Sequence, residues 1–249
     1  MGMAAVFGGA VLEGLHVSAL LHPTAAIIVF GGTIGATMLA SGMQEFAAAL
    51  RYVPKIFLKG SPDYATLVKQ ILDTANLARK EGILALEKSY GAIKNPFFSS
   101  NLRHIVDGYD PNVLKEMMED RIFRVLEERN ATGKVFETAG GFAPTVGIIG
   151  AVLGLIHVMG NLSDSSKLGS GIAAAFVATV YGVGSANLVF IPMGNKIKKM
   201  GQEEIHEMEL ICTGLTSIQS GLNPRVIEDK LNNILGDHGG GHGEEKKAA

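Results

Sequence analysis

The longest apolar segments of the chain are two runs in its second half. The first covers Thr138 to Gly160, the second covers Gly171 to Met193, and neither contains Asp, Glu, Lys or Arg. A helix rises about 1.5 Å per residue, so ~20 mostly apolar residues cross the ~30 Å of hydrocarbon in a bilayer. The pattern predicts two membrane-spanning helices that form a hairpin.

The first half of the chain holds two further apolar segments. Thr24 to Met43 carries no formal charge and is long enough to span a membrane. Met1 to Leu12 is apolar but short, and we interpret it as the end of a first membrane helix that is brief or begins upstream. Between Gln44 and Lys134, charged residues alternate with apolar ones such as Leu67 and Ile71 at helical spacing, which predicts a helical insert.

These patterns predict an all-α, polytopic membrane protein with four transmembrane helices and a helical cytoplasmic insert. Residues 1–43 would hold the first two transmembrane helices, 44–136 a cytoplasmic helical domain, 137–193 the transmembrane hairpin, 194–235 cytoplasmic C-terminal helices, and 236–249 a disordered tail.

The orientation follows from the basic residues. Of the 22 Lys and Arg, 14 lie between Met43 and Phe136, seven follow Met193, and only Lys167 lies in the hairpin connector. Because loops rich in Lys and Arg stay in the cytoplasm, we expect the insert and both termini there. Four spans satisfy this topology, whereas three do not.

Small and polar residues inside the runs indicate contacts between helices. Gly147, Gly150 and Gly154 follow one another in the first run, and small residues four apart let helix backbones approach closely in lipid. The second run contains Thr179 and Ser185, whose hydroxyl groups are costly against lipid. These hydroxyl groups either face a protein interior or a hydrated path, or bond back to carbonyls of their own helix.

Two prolines lie near the predicted cytoplasmic side of the hairpin. Pro144 follows the start of the first run, and Pro192 lies at the end of the second. Because proline lacks an N–H group and clashes with the preceding turn, each marks either a hinge or the end of a helix.

Composition narrows the functional classes. The mean hydropathy is +0.25 and the net charge is -2, which fits a membrane protein and argues against nucleic acid as a partner. The single Cys212 cannot form an internal disulfide, and we expect it to be a packing residue. We find no nucleotide-binding loop, zinc motif or catalytic constellation, so we expect no cofactor, no metal and no enzymatic activity.

An ion path across a bilayer usually requires an ionisable carboxylate. The segments Thr24 to Met43, Thr138 to Gly160 and Gly171 to Met193 contain none. If the chain helps to conduct ions, a partner helix must supply the acid. His157 is the nearest titratable group inside a run, and it is either an outer-leaflet structural residue or a relay.

Three separated segments carry a resemblance to a known family. Leu12 to Ala36, Ala78 to Glu87 and Ala143 to Ile156 resemble, in the same order, the MotA/PomA family of flagellar stator subunits, and the similarity covers nearly the whole chain. The resemblance implies a bacterial inner-membrane protein in which a pentamer of this subunit surrounds a dimer of a single-span partner, MotB or PomB. The partner's membrane aspartate would bind the ion, and the rotor protein would be FliG.

The resemblance also implies roles for particular residues. The torque-generating pair, an Arg followed eight residues later by a Glu, matches Arg79 and Glu87. The paired prolines of the family fall on Pro144 and Pro192, near the ion exit and the gating region. The Thr that lines the ion path in the last span matches Thr179.

One further position bears on which ion is conducted, and two alternative functions stay open. Sodium-driven members of the family resemble each other in having Thr where this chain has Ala151, so the resemblance favours protons.

The main alternative is a proton channel subunit of the TolQ/ExbB type, which energises outer-membrane processes and is expected to have three spans. A second alternative is a non-conducting helical membrane scaffold.

Overall fold

The regular structure of the chain is helical, as the sequence predicts. The computed structural model describes residues 2–14, 16–58, 60, 62–160 and 165–239. The helices are α1 (Gly2–Leu12), α2 (Pro23–Ala26), α3 (Gly32–Ser41), α4 (Met43–Leu58), α5 (Tyr64–Glu81), α6 (Pro96–Val106), α7 (Pro111–Met159), α8 (Ser165–Ser185), α9 (Ile191–Gln219) and α10 (Pro224–Gly239). Short 3-10 turns cover Val17–Leu20, Ile83–Lys88 and Tyr90–Ala92.

Within the described part of the chain, three continuous helices are long and apolar enough to cross a membrane. They are Pro23–Ser41, Pro111–Met159 and Leu168–Gln219, and each overlaps one of the three long apolar runs predicted from the sequence. Helix α1 has 11 residues, fewer than the ~20 that a span requires. The apolar runs are therefore confirmed as long helices, and a fourth span remains a prediction.

Two of these long helices contain a π-helical turn. Ile27–Gly31 joins α2 to α3, and Ala186–Phe190 joins α8 to α9. Pro192 lies two residues after the second turn and has no N–H group to donate to the preceding turn, and a wider turn accommodates that loss. Pro144 lies in the interior of α7. Neither proline therefore ends its helix.

The described chain divides into two compact units, of which the first comprises Met1–Lys59 and Arg129–Met200. In this unit, Ala25 and Val29 of the second predicted span pack against Val177 and Ala178 of α8. A second cluster surrounds the aromatic ring of Tyr52, which α4 contributes. Its buried members are Ala49, Tyr52, Val135, Phe136, Ile197 and Met200.

The second unit comprises Gly60–Glu128 and Gly201–Ala249. Its core joins α5, α6, α10 and the adjoining parts of α7 and α9. Fully buried members include Ile71, Leu86, Phe98, Leu102, Leu114, Leu210, Ile211, Leu215, Ile227 and Leu231. Cys212 is buried in this core, and burial raises its pKa to about 11, which agrees with the predicted packing role.

Helix starts in the second unit are capped by side chains. The Asp63 carboxylate accepts the Thr66 amide at 3.1 Å at the start of α5. Asn223 accepts the Arg225 amide at 3.2 Å and precedes Pro224, the first residue of α10. Helix α10 continues to Gly239. The rest of the predicted tail, 240–249, lies outside the described residues.

Candidate functional site

The first part of the site is the contact between α7 and α8, which glycines hold close. A Cβ atom added to Gly150 would lie 3.0 Å from Ala178 Cβ, and one added to Gly154 would lie 3.2 Å from Ala175 Cβ. At Gly147 the added atom would lie 2.9 Å from the carbonyl oxygen of Ala178. All three glycines singled out in the sequence therefore lie where the two helices meet.

The opposite helix contributes glycines that the sequence analysis did not single out. A Cβ atom on Gly182 would lie 2.5 Å from the carbonyl oxygen of Ala143 and 3.0 Å from Gly147 Cα. A Cβ atom on Gly171 would overlap the side chain of Val158. The signal was present in the sequence as a glycine-rich second run, but which of its glycines face α7 depends on how the helices are rotated.

Ala151 and Thr179 lie at the same level of this hairpin, because each directly follows a member of the Gly150–Ala178 contact. Both side chains are half-buried. The Thr179 hydroxyl donates to the carbonyl oxygen of Ala175 at 3.3 Å, and the Ser185 hydroxyl donates to that of Gly182 at 3.2 Å. Each hydroxyl thus bonds to its own helix in the single chain, and a role in the ion path remains a prediction for Thr179.

Tyr181 ties the last predicted span to the segment before the second one. Its hydroxyl donates to the carbonyl oxygen of Leu20 and accepts the amide of His22 at 3.5 Å. Its ring centroid lies 5.6 Å from that of Phe30. No local pattern in the sequence predicts this contact, since residues about 160 positions apart form it. His157 lies exposed in the last turn of α7.

Arg79 and Glu87 belong to the second unit and flank a sharp bend. Arg79 lies in the last turn of α5, Glu87 lies in the 3-10 turn Ile83–Lys88, and Gly82 between them has a φ of +86°. Such a positive φ favours glycine, which has no Cβ. Both charged side chains are exposed, and no described residue forms an ion pair with either. The two charges are therefore available to a partner.

A shallow hollow adjoins this bend. Its volume is about 290 Å³, and Ala78, Arg79, Gly82, Ile83 and Leu222 contribute to its lining. Apolar side chains and the arginine therefore lie together beside the charged bend. The glycine-packed hairpin and the charged bend together indicate a membrane protein that has a charged helical unit in addition to its apolar spans.

Comparison with known families agrees with that class. Residues 90–210 match the MotA/TolQ/ExbB proton channel family, and residues 1–82 match the motility protein A N-terminal family. Motility protein A of Bacillus subtilis (strain 168) is 33% identical over 236 residues, covering 93% of this chain and 86% of the relative. Chemotaxis protein PomA of Vibrio alginolyticus is 34% identical over 236 residues, covering 94% and 90%.

Solved structures give the same result for the fold. The MotAB structure of C. jejuni has a TM-score of 0.88 at 29% identity, covering 94% of this chain and 92% of that one. The flagellar MotAB stator complex of Bacillus subtilis has a TM-score of 0.86 at 32% identity, covering 97% and 96%. The chain is thus a membrane protein of the MotA/TolQ/ExbB proton channel family. Within that class it belongs to the MotA/PomA family of flagellar stator subunits.

Proposed function

We propose that this chain forms, with a single-span MotB-type partner, a proton channel in the bacterial inner membrane that converts ion flow into torque on the flagellar rotor. The observation that carries the proposal is the hairpin itself. Its two helices pack through Gly147, Gly150 and Gly182, yet neither apolar run supplies a carboxylate. The partner's membrane aspartate supplies the group that an ion path requires.

The proposed topology has four spans with both termini in the cytoplasm. Helix α1 serves as a short first span, and residues 44–136 and 194–235 are the cytoplasmic parts. The asymmetry of Lys and Arg along the chain supports this orientation. The hairpin also exposes large apolar side chains in the single chain, which suits contact with lipid or other subunits. They include Ile148, Ile149, Val152, Leu155, Ile156, Ile172 and Phe176.

The proposed assembly is a pentamer of this chain around a dimer of the partner. Protonation of the partner's aspartate next to Thr179 changes its charge and its preferred packing, and the ring turns one step relative to the partner. The bond from the Thr179 hydroxyl to its own helix is long, at 3.3 Å, so exchanging it for a partner group costs little. Pro144 and Pro192 allow the helices to bend during the step.

The proposed ion is the proton. Ala151 adds no hydroxyl oxygen at the level of Thr179, so a sodium ion would lack a ligand that could replace part of its hydration shell. A proton requires only the partner's carboxylate and a chain of water molecules. Arg79 and Glu87 then act on the rotor protein FliG through charge interactions, which salt should weaken.

The test is cytoplasmic pH in cells that express this chain with its partner, from which the plug segment has been removed. Acidification in sodium-free buffer, abolished when the partner's aspartate is neutralised, is the expected result. A flux that appears only with sodium would overturn the assignment of the ion. No flux in either buffer would overturn the channel and favour the helical scaffold.

A further inference from the structure

An ion pair joins α7 to α9 at the end of the hairpin that the proposed topology places toward the cytoplasm. Lys198 Nζ donates to both carboxylate oxygens of Glu137, at 2.8 Å to Oε1 and 2.7 Å to Oε2. Each side chain is 34% exposed. A contact from one ammonium to both oxygens restricts the orientation of the carboxylate as well as its distance.

Glycines on both helices make room for this pair. A Cβ atom on Gly133 would lie 2.7 Å from Lys198 Cγ, and one on Gly194 would lie 3.1 Å from Glu137 Cγ. Gly133 lies four residues before Glu137, and Gly194 lies four residues before Lys198. The Lys198 side chain therefore crosses α7 over Gly133, and the Glu137 side chain crosses α9 over Gly194. We refer to these four residues as the inner clasp.

The inner clasp lies next to the proposed path of the ion. Glu137 immediately precedes the first apolar run, about two helical turns, or ~10 Å, before Pro144. Lys198 follows Pro192 by a similar distance on α9. The close contacts at Gly140 and Gly147 continue from the clasp along the hairpin, so displacement of one helix at the clasp displaces the contacts beside Thr179.

We propose that Glu137 and Lys198 are positioning residues for the ion-driven step. The clasp fixes the axial register and the rotation of α7 against α9 at the inner end of the hairpin. The bending that accompanies ion binding is then confined to the parts of the two helices that lie on the far side of Pro144 and Pro192 from the clasp. Because the helices cannot slide past each other at the clasp, the movement reaches the cytoplasmic helices. This inference rests on the proposed function.

The test uses charge exchange in the full complex with the partner. Glu137→Lys and Lys198→Glu each place like charges opposite one another, and each should reduce swimming speed at least ten-fold. The double variant restores an opposite pair over the same two glycines and should recover at least half of the normal speed. Lys199→Glu makes the same charge change at an exposed neighbour and should leave speed unchanged.

Two conservative variants keep the test informative if a charge reversal prevents assembly. Lys198→Arg keeps the positive charge and has N–H donors for both carboxylate oxygens, so it should retain speed. Glu137→Gln removes the negative charge and should lower the speed. The partner should still co-purify with both variants. Normal speed in both single reversals, or no recovery in the double variant, would overturn the clasp. Proton flux of the unaltered complex tests the proposed function separately, so the two failures are distinguishable.

Discussion

At the scale of single residues, glycine determines how closely the hairpin packs. Gly147 and Gly182 lie opposite each other, and a methyl group on either would meet backbone atoms that a rotamer change cannot move. Small residues have this role in membrane helices because lipid provides no hydrophobic force that drives helices together, so close packing carries the association.

Gly182→Ala is expected to destabilise the folded chain by about 1–3 kcal/mol, the usual cost of overpacking. The added Cβ would lie 2.5 Å from the carbonyl oxygen of Ala143, which forces the helices apart. Thermal unfolding of the purified chain in detergent measures the effect. Gly184→Ala is the matched control, because nothing lies within 4 Å of the added atom. Equal melting of the two variants would contradict the packing seen at Gly182.

Some of the contacts between single residues were predicted from the sequence, and others were not. The spacing of Gly150 and Gly154 predicted a helix contact, because small residues four apart share one helix face. The inner clasp and the Tyr181 contact were not predicted. Both join residues 60 or more positions apart, and their formation depends on the relative rotation of helices that no local pattern specifies.

At the scale of elements, the ends of helices in the second unit are determined by local hydrogen bonds. Asp63 caps α5 by accepting both the hydroxyl and the amide of Thr66, at 2.6 Å and 3.1 Å. These bonds lower the pKa of Asp63 from its ordinary value of 3.8, the hydroxyl contributing most. The cap therefore stabilises α5, the helix that carries Arg79 at its other end.

Asp63→Ala is expected to lower the midpoint of thermal unfolding slightly at pH 7. Because the carboxylate has a lower pKa in the folded chain than in the unfolded one, its contribution is present above about pH 4 and is lost as the pH falls through the folded pKa. The difference between the variant and the unaltered chain should shrink below that pH. Asp63→Asn still caps the helix and should lose less, without the pH dependence. A pH-independent difference for Asp63→Ala would contradict the assignment.

The sequence predicted the apolar parts of the long helices, because a long run of apolar residues indicates a helix. The runs from Thr24, Thr138 and Gly171 are helical as far as Ser41, Met159 and Met193. The change from charged to apolar residues near Glu137 suggested a boundary, yet α7 continues through it from Pro111 to Met159, because a change of environment does not interrupt helical hydrogen bonds. The π-helical turns were not predicted, since no residue pattern marks them in advance.

At the scale of the whole molecule, the proposed ion path and the proposed rotor contact lie in different units of the chain. Thr179 belongs to the first unit, and Arg79 and Glu87 belong to the second. Helices α7 and α9 contribute residues to both units, so they are the covalent route by which a step in the membrane can reach the charged bend.

Arg79→Glu is expected to abolish most swimming while the chain still inserts and co-purifies with its partner. The side chain is exposed and has no ion-pair partner among the described residues, so reversal of its charge should alter the proposed rotor contact and leave the core intact. Swimming assays and co-purification measure the two effects. Lys69→Glu, at an exposed position of the same helix, should swim normally. Loss of assembly in Arg79→Glu would instead indicate a structural role.

The π-helical turn at Ala186–Phe190 has a consequence for the spacing of residues along the chain. It accommodates one residue more than an α-helical turn, between Thr179 on one side and Lys198 on the other. If this segment formed a regular α-helix with the same number of residues, everything that follows would rotate by about 100°. Lys198 would then turn away from Glu137 while Thr179 kept its place. The wide turn therefore keeps Lys198 facing Glu137, independently of which residues form the turn.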